Sequence, residues 1–280
     1  MKKALIFGCL LVFLSGCSGQ NNEINSDNHT TENNIIKMET EPREQVSLEG
    51  LSNELIGWGM KKNQNAAPDI PSNVKTMLKK YNSFYMGNEN SNNIYLTFDQ
   101  GYENGFTPKI LDILKANNVK ATFFVTGDYA EREEELIKRM AKEGHIVGNH
   151  SLSHPSFPLI SEDEIENEMI KLDEMIKNIT GQKVVYARPP KGEYSEKVLA
   201  KLSNMGYTTV FWSFAYFDWD VTIQKGGDYA FSQIMPYLHN GAIILLHSVS
   251  SDNADALDRV IKEAKANGYN FASLDTISAD

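Results

Sequence analysis

His150-Ser-Leu-Ser-His154 places two imidazoles four residues apart, and Pro155 stops a helix from running on through them. Two imidazoles on one tight turn can both reach a single divalent ion at about 2.0–2.1 Å, which is the ordinary reason for such a pair. On spacing alone the other reading is two loop histidines bonded to backbone. Other groups suited to ionic or acid–base work sit where apolar runs end: Asp99 after Ile94–Phe98, Arg188 at the end of the run from Val184, His247 at the end of the run from Ala242. Asp218 follows a fourth run, Thr208–Trp212. A single carboxylate in such a place is usually a turn residue, but four runs that end at or lead to such groups ask for one common explanation.

The runs themselves read as strands. Ile94–Phe98 is rich in β-branched and aromatic residues and is bounded by Asn92-Asn93 and Gly101. Ala121–Val125, Ile146–His150, Val184–Arg188, Thr208–Trp212, Ala242–His247 and, more weakly, Tyr269–Phe271 share the pattern. Helical periods lie between them. One opens with Thr107 as cap and Pro108 in its first turn, one covers Glu131–Glu143 with Gly144 as its stop, and one begins at Ser161 with Glu164 completing a capping box. Strands alternating with helices make a parallel sheet, because parallel neighbours need a crossover. In an open sheet only the strands at a switch point share a site, whereas a closed barrel brings every C-terminal end to one mouth. The expected fold is therefore α/β, a distorted barrel of seven strand–helix units.

The chain has 280 residues, 41% hydrophobic and 23% charged, with a net charge of −10. That charge argues against nucleic acid as a partner. Both cysteines, Cys9 and Cys17, precede the globular region, which excludes disulfides and thiolate metal sites there. Lys2-Lys3 and the apolar run Ala4–Leu14 read as an export signal over residues 1–16, and Leu14-Ser15-Gly16-Cys17 resembles a lipobox, with Cys17 as the lipidated residue. The expected location is extracytoplasmic, anchored to the outer face of the membrane, with the forespore envelope as one setting. Residues 17–50 read as a disordered tether, 51–92 as an extension packing on the barrel, and 93–274 as the main domain.

Thr97-Phe98-Asp99-Gln100-Gly101, His150–His154, Arg188-Pro189-Pro190-Lys191-Gly192, Asp218-Trp219 and Ile243-x-Leu245-x-His247 resemble, in order, the five motifs of the polysaccharide deacetylase (NodB homology, carbohydrate esterase family 4) family. The resemblance implies a distorted (β/α)7 barrel and metal-assisted hydrolysis of a sugar N-acetyl group. It implies Asp99 as general base, His150 and His154 as ligands of a divalent metal such as zinc, Arg188 as the group holding Asp99, and His247 as general acid tuned by Asp218. Backbone N–H groups near Lys191 would share the oxyanion. Lys191, Tyr194, Trp219 and Tyr102 are the candidate substrate contacts.

One position departs from the family. Where most members carry a second metal-binding carboxylate, this chain has Gln100, a candidate ligand that is neutral and weaker, which leaves metal dependence open. Phe98–Gly105, Trp58-Gly59, Phe211-Trp212-Ser213 and Leu245–Ser250 resemble the muramic-acid de-N-acetylases of endospore formers, in which an amide at this place is common. That branch implies peptidoglycan glycan strands as partner, N-acetylmuramic acid stripped of its stem peptide by an amidase as substrate, and muramic δ-lactam of spore cortex as the destination. Lys191 would meet the lactyl carboxylate. Two alternatives stand beside it: a deacetylase of N-acetylglucosamine in peptidoglycan or chitin-like glycan, and a glycan-binding protein without activity.

Overall fold

The computed structural model describes residues 45–277. The export signal, Cys17 and most of the expected tether lie outside the described residues. Among those residues no helix is long and apolar enough to cross a membrane.

The main sheet contains β1 (Ser83–Phe84), β2 (Asn93–Gln100), β3 (Thr122–Val125), β4 (Ile146–Asn149), β5 (Tyr186–Ala187), β6 (Thr208–Val210), β7 (Ile243–His247) and β8 (Asn270–Phe271). Their order is β7-β2-β3-β4-β5-β6-β1, with β8 beside the start of β2, and the pairings are parallel. The sheet curls, and its last seam consists of isolated bridges, Phe214 to Ile244 and Met86 to Ala242, instead of a ladder. Leu245 N–H donates to the Phe214 carbonyl at 2.9 Å across that seam. This is the distorted barrel expected from the strand ends. β2 is buried continuously from Ile94 to Gln100, as a strand covered on both faces should be.

The helices are α1 (Ser72–Lys80), α2 (Thr107–Ala116), α3 (Gly127–Arg132), α4 (Glu134–Lys142), α5 (Glu162–Thr180), α6 (Glu196–Asn204), α7 (Gly227–Ile234) and α8 (Ser251–Ala266). α2 turns Ile110, Leu111 and Leu114 into the core, and α5 turns in Ile165, Met169, Leu172 and Ile176. α5 carries both bonds of the capping box: Glu164 N–H donates to Ser161 Oγ at 3.2 Å, and Ser161 N–H donates to Glu164 Oε2 at 2.7 Å. Two helix boundaries differ from the sequence reading. Thr107 does not cap α2; its own N–H is taken by the Glu103 carboxylate at 3.1 Å, a carboxylate at a helix N-terminus doing the same work. The expected helix over Glu131–Glu143 is two helices broken at Glu133, because α3 starts earlier on a Thr126 side chain that accepts from Tyr129 N–H.

The tether also ends sooner than residue 50. Asn204 exchanges hydrogen bonds with Val46 at 2.8 and 2.9 Å, and Val46, Leu48 and Leu51 pack on a cluster containing Leu78, Tyr81 and Phe211. Three apolar side chains spaced through a polar stretch gain enough burial to dock it. The extension does more than cover the barrel. Ser83–Phe84 is a strand of the main sheet, and Ile56–Gly57 pairs antiparallel with Glu193–Tyr194, just past the Arg188–Gly192 motif.

Register then fixes the mouth. β7 and β2 align His247 with Asp99, so both side chains leave the same face. Strand alternation puts Gln100 and Ser248 on the opposite face.

Candidate active site

A cleft of about 450 Å³ opens at the C-terminal ends of the strands, and Asp99, His150, His154, Lys191, Trp219 and His247 are among its walls. Five strands or the loops that follow them deliver these groups to one place.

Arg188 lies behind these groups, with its side chain fully out of solvent. Its Nη1 donates to Asp99 Oδ1 at 2.6 Å, Nη2 donates to Thr97 Oγ1 at 3.0 Å and to the Phe211 carbonyl at 3.3 Å, and Nε donates to the Val210 carbonyl at 2.9 Å. The guanidinium lies 4.2 Å over the Phe124 ring. Behind Phe124 stands Gly148, where an added Cβ would come within 2.6 Å of the ring; the glycine gives the ring its place under the cation. Burial drives the Asp99 carboxyl up, but Arg188, then His150 and His247, outweigh it and hold the group below the usual carboxylate range. Asp99 is ionised at neutral pH, with Oδ2 turned toward His150 Nε2 at 3.5 Å.

The two histidines sit as the spacing requires. His150 Nδ1 donates to the Arg188 carbonyl at 2.8 Å, which leaves its Nε2 unprotonated in the neutral ring. His154 Nε2 stands 3.2 Å from His150 Nε2. Burial lowers both imidazoles, His154 to about 4, so both are neutral at pH 7. The turn that holds them is locked: Ser151 and His154 have φ of 68° and 61°, and Asn149 Oδ1 accepts from Ser151 N–H at 2.8 Å.

These nitrogens fit a divalent ion. Their separation is close to the roughly 3.3–3.4 Å edge of a tetrahedron with metal–nitrogen bonds of about 2.0–2.1 Å. Gln100 does not complete the set. It is absent from the cleft wall, its Nε2 donates to Ser248 Oγ at 2.5 Å, and its Oε1 is buried with no partner among the described residues. Strand alternation is the reason: Asp99 faces the mouth, so Gln100 beside it on the same strand faces away. Among the described residues no group of three or more His, Cys, Asp or Glu is arranged to hold a metal.

Across the cleft, Asp218 Oδ1 accepts from His247 Nδ1 at 2.7 Å and Oδ2 accepts from His247 N–H at 2.9 Å. Burial pulls the imidazole down, the Asp218 carboxylate more than compensates, and the net shift is upward. Asn253 ties this pair to α8: its Nδ2 donates to Asp218 Oδ2 at 2.6 Å and to the His247 carbonyl at 3.1 Å, while its Oδ1 accepts from Tyr216 Oη at 2.5 Å. Asn253 and Tyr216 went unnoticed in the sequence because an Asn in a helix's first turn and a Tyr in a loop carry no pattern.

The remaining expected contacts divide. Lys191 faces the cleft from a left-handed turn, φ 60° at Lys191 and 67° at Gly192. Any Cβ on Gly192 would meet Trp212 at 2.8 Å and Trp58 at 3.1 Å. Trp58 N–H donates to the Gly192 carbonyl at 2.8 Å, so the extension props the turn that presents Lys191. Tyr102 and Trp219 are half exposed at the rim. Tyr194 is no substrate contact: it is 1% exposed and packs with Phe211 and Trp58, since alternation from the cleft-side turn sends it into the core.

The Arg188–Asp99 pair gives a stability expectation. Arg188→Met leaves a buried carboxylate without its cation and should cost about 3–5 kcal/mol. Asp99→Asn keeps an acceptor for Nη1 but leaves the buried guanidinium without its anion, and should cost about as much. Urea titration at pH 7 measures both, and a loss below about 1 kcal/mol for either would show that the charge pairing is not what matters.

The model of the polysaccharide deacetylase family matches residues 86–210. The chain is 48% identical over 234 residues to a Bacillus subtilis peptidoglycan-N-acetylmuramic acid deacetylase, PdaA, covering 83% of this chain and 89% of that protein. The solved structure of B. subtilis PdaA, a family 4 carbohydrate esterase, superposes with a TM-score of 0.80 at 47% identity, over 81% of this chain and 98% of that one. A Bacillus cereus peptidoglycan-N-acetylglucosamine deacetylase is 38% identical over 203 residues, 70% of this chain and 72% of the relative. With these matches, and with the five motifs gathered at one barrel mouth, the chain belongs to the polysaccharide deacetylase family.

Proposed function

We propose that this hydrolase removes acetate from N-acetylmuramic acid residues of peptidoglycan strands that have lost their stem peptides. The observation that carries the reading is the pairing of Asp99 with His247 in strand register, one held anionic by Arg188 and the other bonded through Nδ1 to Asp218. A base and an acid side by side at one mouth suit addition of water to an amide followed by loss of the amine. The higher identity to the muramic-acid enzyme than to the glucosamine enzyme supports the choice of sugar.

Asp99 takes a proton from water as the water oxygen adds to the acetyl carbon. The tetrahedral adduct then breaks its C–N bond, and His247, whose Nδ1 is occupied by Asp218, delivers the proton from Nε2 to the departing nitrogen. Acetate and a free amine result. A divalent ion held by His150 and His154 would supply polarisation of the acetyl oxygen. The Gly192 N–H is taken by the Pro189 carbonyl at 3.1 Å, so the backbone N–H of Lys191 itself would meet the developing oxyanion. The Lys191 ammonium would pair with the lactyl carboxylate that distinguishes muramic acid from glucosamine.

The wider setting belongs to the same proposal. The amine released beside a lactyl carboxylate can close to the muramic δ-lactam of spore cortex, after an amidase has removed the peptide. Export and lipidation at Cys17 would place the protein at the outer face of the membrane, in reach of the wall.

Incubating the protein with peptide-stripped strands, with zinc and with chelator, and locating the lost acetyl by mass spectrometry tests the reading. Loss at muramic residues is expected, with Lys191→Ala raising KM for them severalfold. Loss confined to glucosamine would replace the substrate, and no loss with any metal would favour a binding protein. Asp218→Asn removes the carboxylate that raises His247, so the imidazolium is lost at lower pH as pH rises. The basic limb of the pH–rate profile should move down, with a fall of roughly 10²-fold at pH 7; an unmoved limb would deny His247 the acid's role.

A further inference from the structure

Eight large hydrophobic side chains are notably exposed among the described residues, and five of them, Tyr102, Phe217, Trp219, Val221 and Ile223, lie on two short segments beside the cleft. Tyr102 and Trp219 line it. Phe217 and Trp219 are each 51% exposed with ring centroids 4.3 Å apart, and the Trp219 ring stands 5.7 Å from that of His247. The apolar surface therefore starts at the reacting groups and continues outward through Trp219 to Phe217.

The segment that carries it is built, not slack. Tyr216 at its start is bonded to Asn253, and Asp218 within it is bonded to His247 and Asn253. At its far end Lys225 and Gly226 N–H donate to the Asp252 carboxylate at 2.7 and 2.8 Å, and Gln224 Oε1 accepts from Ser251 Oγ at 2.9 Å. The first turn of α8 thus grips both ends. Folding spends this many polar contacts to hold out a face of bare rings, whose exposure is unfavourable unless something covers it.

We propose that Phe217 and Trp219 form a second sugar-binding ledge for the residue adjoining the one deacetylated in a glycan strand. The proposal rests on the reading of the protein as a glycan deacetylase. A strand whose sugar sits in the cleft must leave past the rim, and the apolar faces of pyranose rings stack on exposed aromatic rings. A lipid surface is the other occupant to weigh. Asp218 and Asp220 alternate with the apolar residues, and the chain's net charge of −10 opposes approach to anionic headgroups.

Phe217→Ala in the full chain tests this, with Phe217→Tyr as the conservative control. Two readouts are needed: turnover of long strands against the shortest glycan the protein accepts, and binding of long strands to Asp99→Asn protein. Phe217→Ala should lower kcat/KM on long strands about fivefold (~1 kcal/mol), through KM, weaken strand binding to a similar extent, and change the shortest substrate less than twofold. Phe217→Tyr should restore both. Equal losses at both lengths would make the ledge a scaffold only, and no loss in either readout would remove it. Should the protein prove inactive, Phe217-dependent strand binding would still uphold the ledge while the catalytic reading falls. Sedimentation with anionic vesicles that depends on Phe217, alongside unchanged strand binding, would give the surface to lipid instead.

Discussion

The buried guanidinium of Arg188 is the contact on which the site depends. A cation removed from water is costly unless every donor is met and the charge is balanced. Here the side chain reaches Asp99, Thr97, and the carbonyls of Val210 and Phe211, while its own carbonyl orients His150. One residue from β5's end therefore ties β2, β6 and the histidine turn together. It sets the ionisation of the base and the tautomer of a candidate metal ligand at the same time. The Phe124 ring beneath it, and the glycine that makes room for that ring, extend the same constraint into the sheet.

A second clamp works on the other side of the cleft. The N-terminal turn of α8 holds Asp218, His247 and both ends of the 216–226 segment, and the extension holds the Lys191 turn through Trp58. Each half of the mouth is thus fixed by an element distant in sequence from the residues it positions. Preorganisation of this kind is what a hydrolase needs, since charge develops at fixed points and the surrounding dipoles must already face them.

The strand ends were the most legible part of the chain. Apolar runs stop at polar groups, and only a barrel gathers so many ends, so the architecture and the meeting of Asp99, His150, Arg188 and His247 follow from pattern and topology. What stayed hidden depends on direction or on distance. Gln100 and Tyr194 stand beside site residues in sequence yet point elsewhere, because successive side chains along extended backbone face opposite ways. Val46 and Leu48 sit in a polar stretch whose composition masks three apolar contacts. Ser83–Phe84 is two residues long and becomes a strand only because β6 lies beside it. Asn253 reaches Asp218 and Tyr216 more than thirty residues away, and local periodicity carries no trace of such contacts.

A paired base and acid acting on one amide is the central claim, and a double-mutant cycle on Asp99→Asn and His247→Gln, read as kcat/KM on peptide-stripped strands, tests it most directly. Groups that serve the same intermediate lose their value together. The expected result is a double variant about as slow as the slower single variant. Losses that multiply would mean that the two residues act independently, and would contradict the shared reaction.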